Sequence, residues 1–258
     1  MAARRGTSTN AAGANLWTIH TRRTRSFATL VVTTLLCTVV FVAVAQAGSG
    51  ARVIDHGPNR PQIALTFDDD FCGACVDGIL QVLASTRAEA TFCPNGVSAR
   101  AGWSIADRRL ARRLVARGQI AFCNHTYSHF DVRRLSPGRL ADELNRNGAW
   151  IEATFGTDPR PYFRPPYGAY NAKTLAVAGQ LGYGRVVMWS GTLADSSPRS
   201  VPYLLAAIRY WAKPGAIILA HGDHPNTARA LRRILAFLHA RHLQPVTLPH
   251  LLGGAHPQ

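Results

Sequence analysis

Leu65-Thr66-Phe67-Asp68-Asp69-Asp70 is the stretch on which the reading of this chain turns. An apolar run, Ile63-Ala64-Leu65, leads into three adjacent carboxylates. Like charges at that spacing repel, and a low-dielectric setting raises the cost. A divalent cation removes the objection: one carboxylate binds the metal while its neighbour stays free to take a proton. The alternative is an acidic strand-to-loop turn, because Asp is common in turns. The hexapeptide alone leaves both open, so partners must be sought elsewhere in the chain.

Working outward, short apolar segments alternate with helix-length ones. Gln62–Phe67, Ala90–Cys93, Ile120–Asn124, Tyr162–Arg164, Arg185–Trp189, Ala216–Ala220 and Gln244–Thr247 read as strands. Helices are expected over Val76–Ser85, Ile105–Arg117, from Ser136-Pro137 to about Phe155, Asn171–Leu181, Val201–Ala212 and Asn226–Ala240. Ser136 and Pro137 form an N-terminal helix signal, and Gly182 fits a C-cap. A β-α repeat implies parallel strands with crossover helices. Seven strand candidates point to an α/β fold of the barrel kind, with functional residues gathered at the C-terminal strand ends. Asp68 and Asp69 follow the first strand, His125 the third and His221 the sixth; Arg164 ends the fourth and Asp195 lies beyond the fifth. All converge on one face. No internal repeat is found.

His125-Thr126-Tyr127-Ser128-His129 places two imidazoles four residues apart. On a helical turn such residues share a face and can bind one metal. Two His, a carboxylate and open positions for water make a metal-hydrolase arrangement. Two solvent-facing His are the bland alternative. Phe163-Arg164-Pro165-Pro166-Tyr167-Gly168 is a rigid corner in which the prolines remove two donors, leaving the Tyr167 N–H free to face an oxyanion. Arg164 is suited to hold a catalytic carboxylate by a bidentate contact; the alternative is a Pro-braced turn with a surface Arg. Gly215-Ala216-Ile217-Ile218-Leu219-Ala220-His221 is a buried strand ending in a His, either a general acid or a satisfied core residue.

Taken together, these segments resemble the NodB-homology polysaccharide deacetylases, carbohydrate esterase family 4. The likeness runs from about Gln62 to Thr247. It rests on Thr66-Phe67-Asp68-Asp69, Asn124-His125-Thr126-Tyr127-Ser128-His129, Arg164-Pro165-Pro166-Tyr167-Gly168 and Leu219-Ala220-His221, in order and spacing. The Ala90–Gly96 segment is similar to the family's second strand. The resemblance implies a distorted (β/α) barrel of seven or eight parallel strands in a single catalytic domain. It implies one divalent metal, zinc first and cobalt as an alternative, held by Asp69, His125 and His129. It implies hydrolysis of N-acetyl groups, with Asp68 as base and His221 as acid. Tyr167 and Leu219 would contact the substrate, and Asp195 would pair with Arg164. An O-acetyl esterase and a non-catalytic glycan-binding protein are the alternatives.

The chain departs from the pattern in three places. The family's D-x-x-D-W segment aligns with Thr192-Leu193-Ala194-Asp195-Ser196, so the first Asp and the Trp are missing and one wall of the cleft is expected to open. Asp70 replaces a usual Gly. Cys72-Gly73-Ala74-Cys75 reads as a disulfide-closed loop, with a redox or metal pair as alternatives. Cys93 and Cys123 end strands two and three, as a disulfide or as buried thiols.

Residues 1–47 are set apart from the fold. Arg22, Arg23 and Arg25 precede an uncharged run from Phe27 to Ala45, and Ala45-Gln46-Ala47 follows, which fits a signal peptide or a membrane anchor. Either places the remainder outside the cytoplasm, secreted or anchored. A linker is expected over 48–61, the catalytic domain over 62–252 and a tail over 253–258. Of the 29 basic residues 27 are Arg; from Gly48 onward 24 basic residues face 14 acidic ones, a net of +10. That surface suits an anionic polymer. No basic block interleaved with aromatics occurs, which argues against nucleic acid as partner. The expected partner is an acetylated polysaccharide, peptidoglycan before chitin-like polymers. Membrane contact is expected only through the leader, and the protein as a monomer.

Overall fold

The computed structural model of the protein describes residues 50–253. The leader and the last five residues lie outside the described residues. No helix among the described residues is long and apolar enough to cross a membrane.

The central strand is β2, Gln62–Asp69, in which Ile63 to Asp68 are buried. An uninterrupted buried run suits a strand covered on both faces, as parallel sheets are. On one side β2 pairs with β8, Ile217–His221; on the other it pairs with β3, Ala90–Pro94, and at its start with β9, Gln244–Val246. The sheet continues from β3 to β4, Ile120–Phe122, and from β8 to β7, Gly191–Thr192. A smaller sheet has the order β1, Arg52–Ile54; β6, Arg185–Val187; β5, Tyr162–Phe163. Every ladder is parallel. A single parallel bridge, Asn124 to Phe163, joins the two sheets beside β4 and β5.

Two features differ from the sequence expectation. The stretch 48–61 is not only linker: β1 lies within it and pairs with β6 in register Val53 to Val186. Three residues, flanked by Ala51 and Asp55, are too few to show a periodicity. The expected strand Arg185–Trp189 stops at Val187 as β6, and a further short strand, β7, follows beyond Trp189 in the other sheet.

The helices form where they do because their ends are supplied. Helix α1 is Gly73–Ser85, α2 Gly96–Gly102, α3 Ile105–Ala116, α4 Pro137–Phe155, α5 Ala172–Gln180, α6 Val201–Trp211, α7 Pro225–Ala240 and α8 Leu248–Leu251. Ser104 and Asp107 make a reciprocal capping box on α3, and Ser136 caps α4 ahead of Pro137. Gly156 ends α4 with φ 76°, a left-handed conformation that a side chain would oppose. Inside, Phe92, Trp103, Phe122 and Phe155 stack under the β2–β4 side, with Phe122 and Phe155 ring centroids 4.2 Å apart. Burying each such ring contributes roughly 1.5–3 kcal/mol. All four cysteines among the described residues pair. Cys93 and Cys123 join the ends of β3 and β4, and Cys72 and Cys75 close the first turn of α1.

Candidate active site

The parallel register sets the first contacts. Asp68 stands opposite His221 across the β2–β8 ladder and opposite Cys93 across β2–β3. Beyond Asp68 the backbone turns sharply. Asp69 and Asp70 have φ of 68° and 66°, and Thr126, His129, Tyr167 and Ala194 also lie in the left-handed region. Six of the eight such non-glycine residues among those described crowd around one pocket. Strained backbone concentrates at functional sites because packing must hold it there.

Asp69 comes together with His125 and His129. Its Oδ1 is 3.6 Å from His125 Nε2 and 3.3 Å from His129 Nε2. These are the three residues expected as metal ligands, and their ligand atoms lie within 4.8 Å of one another. The two imidazoles do not meet on a helical turn, as the spacing suggested. Residues 125–129 form a loop, and the left-handed residues Thr126 and His129 fold it back so that the rings sit 4.9 Å apart. The loop is tied down from behind. The Glu143 carboxylate in α4 accepts the Tyr127 and Ser128 N–H groups at 3.0 and 2.6 Å. Asn124 Oδ1 accepts the Thr126 N–H at 2.9 Å and an Asn147 amide proton at 2.9 Å. Asn95 donates to Asp69 Oδ1 at 2.8 Å. Burial and the neighbouring His125 hold the His129 ring below its usual pKa, against the attraction of Asp69 and Asp68.

Asp68 is held by Arg164, which is fully buried. Arg164 Nη1 donates to Asp68 Oδ1 at 2.7 Å and to Thr66 Oγ1 at 2.7 Å. Its Nε and Nη2 donate to the Val187 and Met188 carbonyls at 3.1 and 3.3 Å. The contact is therefore single, not the bidentate one expected, because the other donors complete the strand ends. Burial alone would raise the Asp68 pKa; the charges of Arg164, His125 and His221 and the Arg164 hydrogen bond outweigh it, and the pKa lies below the usual value.

Asp195 does not pair with Arg164. It holds His221 instead. Its Oδ1 is 3.0 Å from His221 Nδ1, and its Oδ2 accepts the His221 N–H at 3.2 Å and the Thr227 hydroxyl at 2.7 Å. A single Asp on the β7 side is close enough to the end of β8 to take both bonds, and Arg164 is already satisfied. Burial works against a charged imidazole here, yet the Asp195 hydrogen bond and the charges of Asp68, Asp195 and Asp69 lift His221 to about 9.

These groups open onto one cavity of about 420 Å³. Asp68, Asp69, His125, His129, Tyr167, Leu219 and His221 line it, whereas Arg164 and Asp195 stand behind it. Tyr167 turns its ring edge against His129 at 4.7 Å between centroids. In the altered fourth segment, Ser196 lines the cavity where the family has Trp, and Trp189 supplies an indole to the same wall. Asp70 points away. It is fully buried, and neither carboxylate oxygen has a hydrogen-bond partner among the described residues. Burial, then the charges of Asp223, Asp68 and Asp69, push its pKa well up. Asp223 rises to about 7 through burial and the Asp69 charge. A Cβ at Gly222 would meet Asp70 Oδ1 at 2.0 Å, so the pair of positions is fitted together.

Sequence reasoning missed Asn95, Glu143, Asn147, Thr227 and Trp189. Asn95 lies in the Ala90–Gly96 segment, whose likeness to the family's second strand gave it no role. Glu143 and Asn147 lie within an ordinary helix pattern, and nothing local marks them.

The polysaccharide deacetylase family model matches residues 55–186. The chitooligosaccharide deacetylase of Rhizobium leguminosarum bv. phaseoli is 30% identical over 216 residues, covering 78% of this chain and 91% of the relative. Among solved structures, the Bc1960 peptidoglycan N-acetylglucosamine deacetylase superposes with a TM-score of 0.70 at 25% identity, covering 80% of this chain and 95% of that one. Wild-type BA3943, a CE4 family pseudoenzyme from Bacillus anthracis, superposes with a TM-score of 0.68 at 25% identity, covering 79% and 69%. The chain belongs to the polysaccharide deacetylase family, carbohydrate esterase family 4. Its fold is the family's α/β fold with parallel strands, and its class is that of a deacetylase hydrolase.

Proposed function

We propose that the protein is a metal-dependent amidohydrolase that removes N-acetyl groups from N-acetylglucosamine-type residues of an extracellular polysaccharide, peptidoglycan first and chitin-like polymers second. One observation carries the reading. A buried carboxylate, an Asp-held imidazole and a two-His, one-carboxylate cluster open on the same cavity.

The donor set fits a metal. His125 Nδ1 faces the Arg164 carbonyl oxygen at 2.7 Å, and a carbonyl only accepts, so Nδ1 carries the proton and Nε2 the lone pair. Two imidazole nitrogens and a carboxylate oxygen suit zinc or cobalt. A divalent cation held by Asp69, His125 and His129 supplies Lewis-acid polarisation of the acetyl carbonyl and of a water. Asp68 takes the water's proton at Oδ2, because Oδ1 is engaged by Arg164. His221 delivers a proton from Nε2 to the amine nitrogen as the C–N bond breaks, since Nδ1 is bound to Asp195. The Tyr167 N–H faces the developing oxyanion, and Leu219 meets the acetyl methyl. Arg164 and Asp195 are positioning residues for base and acid.

Beyond the site, the two sheets are read as parts of one distorted barrel, joined by the Asn124–Phe163 bridge. Residues 1–47 are read as the leader that exports or anchors the protein, and the folded unit as a monomer. The test is acetate release from N-acetylglucosamine oligomers and peptidoglycan, with zinc or cobalt, beside Asp68→Asn. Loss of the base is expected to lower the rate by about 10²–10⁴-fold. Release of acetate only from O-acetylated substrates would move the reading to an esterase. Glycan binding without release from any of them would make the protein a binding member of the family.

A further inference from the structure

Next to the catalytic cavity lies a second one of about 630 Å³ that the reaction above does not use. His129 and Tyr167 line both, so the two are continuous along one side. A glycan leaving the catalytic cavity on that side passes the Tyr167 ring, which is 71% exposed, and then Phe130, which is 49% exposed. Such rings offer flat apolar faces to a sugar while their edges stay wet.

Beyond the rings the wall is cationic. Arg133, Arg134 and Arg139 line the second cavity with Asp131 as the sole carboxylate. Asp131 is engaged by Arg133, at 2.8 Å from Nη2, and more loosely by Arg134, at 3.6 Å from Nε. Arg139 has no carboxylate partner among the described residues. The wall is held in shape. Val132 is buried, and the Lys173 ammonium donates to the Arg133 and Leu135 carbonyls, adding a further positive charge behind the loop.

We infer that this second cavity is a subsite for a carboxylate-bearing sugar, next in the chain to the residue that loses its acetyl group. The inference rests on the deacetylase reading above. Arg134 and Arg139 supply donors that match a carboxylate. The shared chemistry has two sources, a lactyl ether carboxylate on an amino sugar or a uronic acid.

The test uses the full-length protein with zinc and four oligosaccharides of equal length. One is neutral, all N-acetylglucosamine. One alternates N-acetylglucosamine with peptide-free N-acetylmuramic acid, one is its carboxyl methyl ester, and one alternates N-acetylglucosamine with glucuronic acid. Exposed ion pairs are individually weak, so the two arginines together should lower KM about tenfold for the acid against its ester. Arg134→Gln with Arg139→Gln should erase that difference while leaving kcat, and KM for the neutral oligomer, within about twofold. Tighter use of the muramic than of the glucuronic oligomer assigns the lactyl source, and the reverse assigns the uronic one. Equal KM for acid and ester in the unaltered protein, or a preference that survives the double substitution, overturns the subsite. No acetate from any oligomer sinks the deacetylase reading instead; calorimetric binding of acid against ester then still decides the subsite.

Discussion

A buried imidazole ordinarily gives up its proton easily, because burial disfavours the charged ring. His221 departs from that, and the reason is local. Asp195 takes both its Nδ1 proton and its backbone N–H, and Asp68 and Asp69 add negative charge nearby, which together raise the ring to about 9. The sign follows. A raised folded pKa adds stability that is present in full below the unfolded value of 6.5 and is lost as pH rises through about 9. In the proposed reaction the protonated ring is also the form that donates to the leaving amine, so activity should fall on the alkaline side as the ring loses its proton. Asp195→Asn removes the charge and leaves burial to dominate. Its pH–rate profile is expected to show the alkaline limb displaced toward neutral pH, with kcat at pH 8 lower by roughly 10²-fold. The comparison is made with the same metal in both proteins, because a dication beside the ring moves both limbs down. An unmoved limb in the variant would mean that Asp195 does not set the protonation of His221.

At the scale of elements, the site is a set of strand ends with one loop folded over them. The β-α order, the strand that carries Asp68 and the strand that ends in His221 were legible, because buried strands are continuous apolar runs and their ends are abrupt. The residues were legible too: the three metal-ligand candidates and the four other cavity-lining residues are where the motifs placed them. Their partners were not. Asp195 was expected on Arg164 and sits on His221, since the pairing depends on which strand ends lie side by side, and that order is set by sheet topology. Glu143 lies sixteen residues from Tyr127 with no periodic signal, yet it holds the His125–His129 loop. Glu143→Leu leaves two backbone N–H groups without an acceptor, at about 1–3 kcal/mol each. Loosening what orients the ligands should also weaken zinc binding by 10–100-fold. Both N–H groups go to the same oxygen, so Glu143→Gln keeps the acceptor and should restore most of the affinity. Zinc titration by calorimetry reads this directly; equal affinity in Glu143→Leu and the unaltered protein would show that the loop holds itself.

At the scale of the whole molecule, covalent links bear unequally on stability, and their loop lengths say how. The Cys93–Cys123 bridge closes a segment of 30 residues, whereas Cys72–Cys75 closes only three. A cross-link stabilises mainly by restricting the unfolded chain, and more so for longer loops. That gives about 3–4 kcal/mol for the first and about 2 kcal/mol for the second. The longer link also lies in the core. Both its cysteines are fully buried, and Cys93 is the register partner of Asp68, so it fastens β3 to β4 beside the proposed base. The shorter link is partly buried: Cys75 lies in the core, and Cys72, the half-buried N-cap of α1, comes three residues beyond Asp69. Stability and activity should therefore separate. Cys93→Ala with Cys123→Ala is expected to lower the unfolding free energy by about 2–4 kcal/mol in urea, with a smaller change for Cys72→Ala with Cys75→Ala. At low temperature, where each variant is folded, the second pair should instead show the larger loss of zinc affinity, because it frees the segment that carries Asp69. If the short-loop variant proves the less stable of the two, chain entropy is not what these bridges contribute, and the packing of the Asp69–Cys75 segment, through the buried Asp70 and Cys75, must depend on the short link.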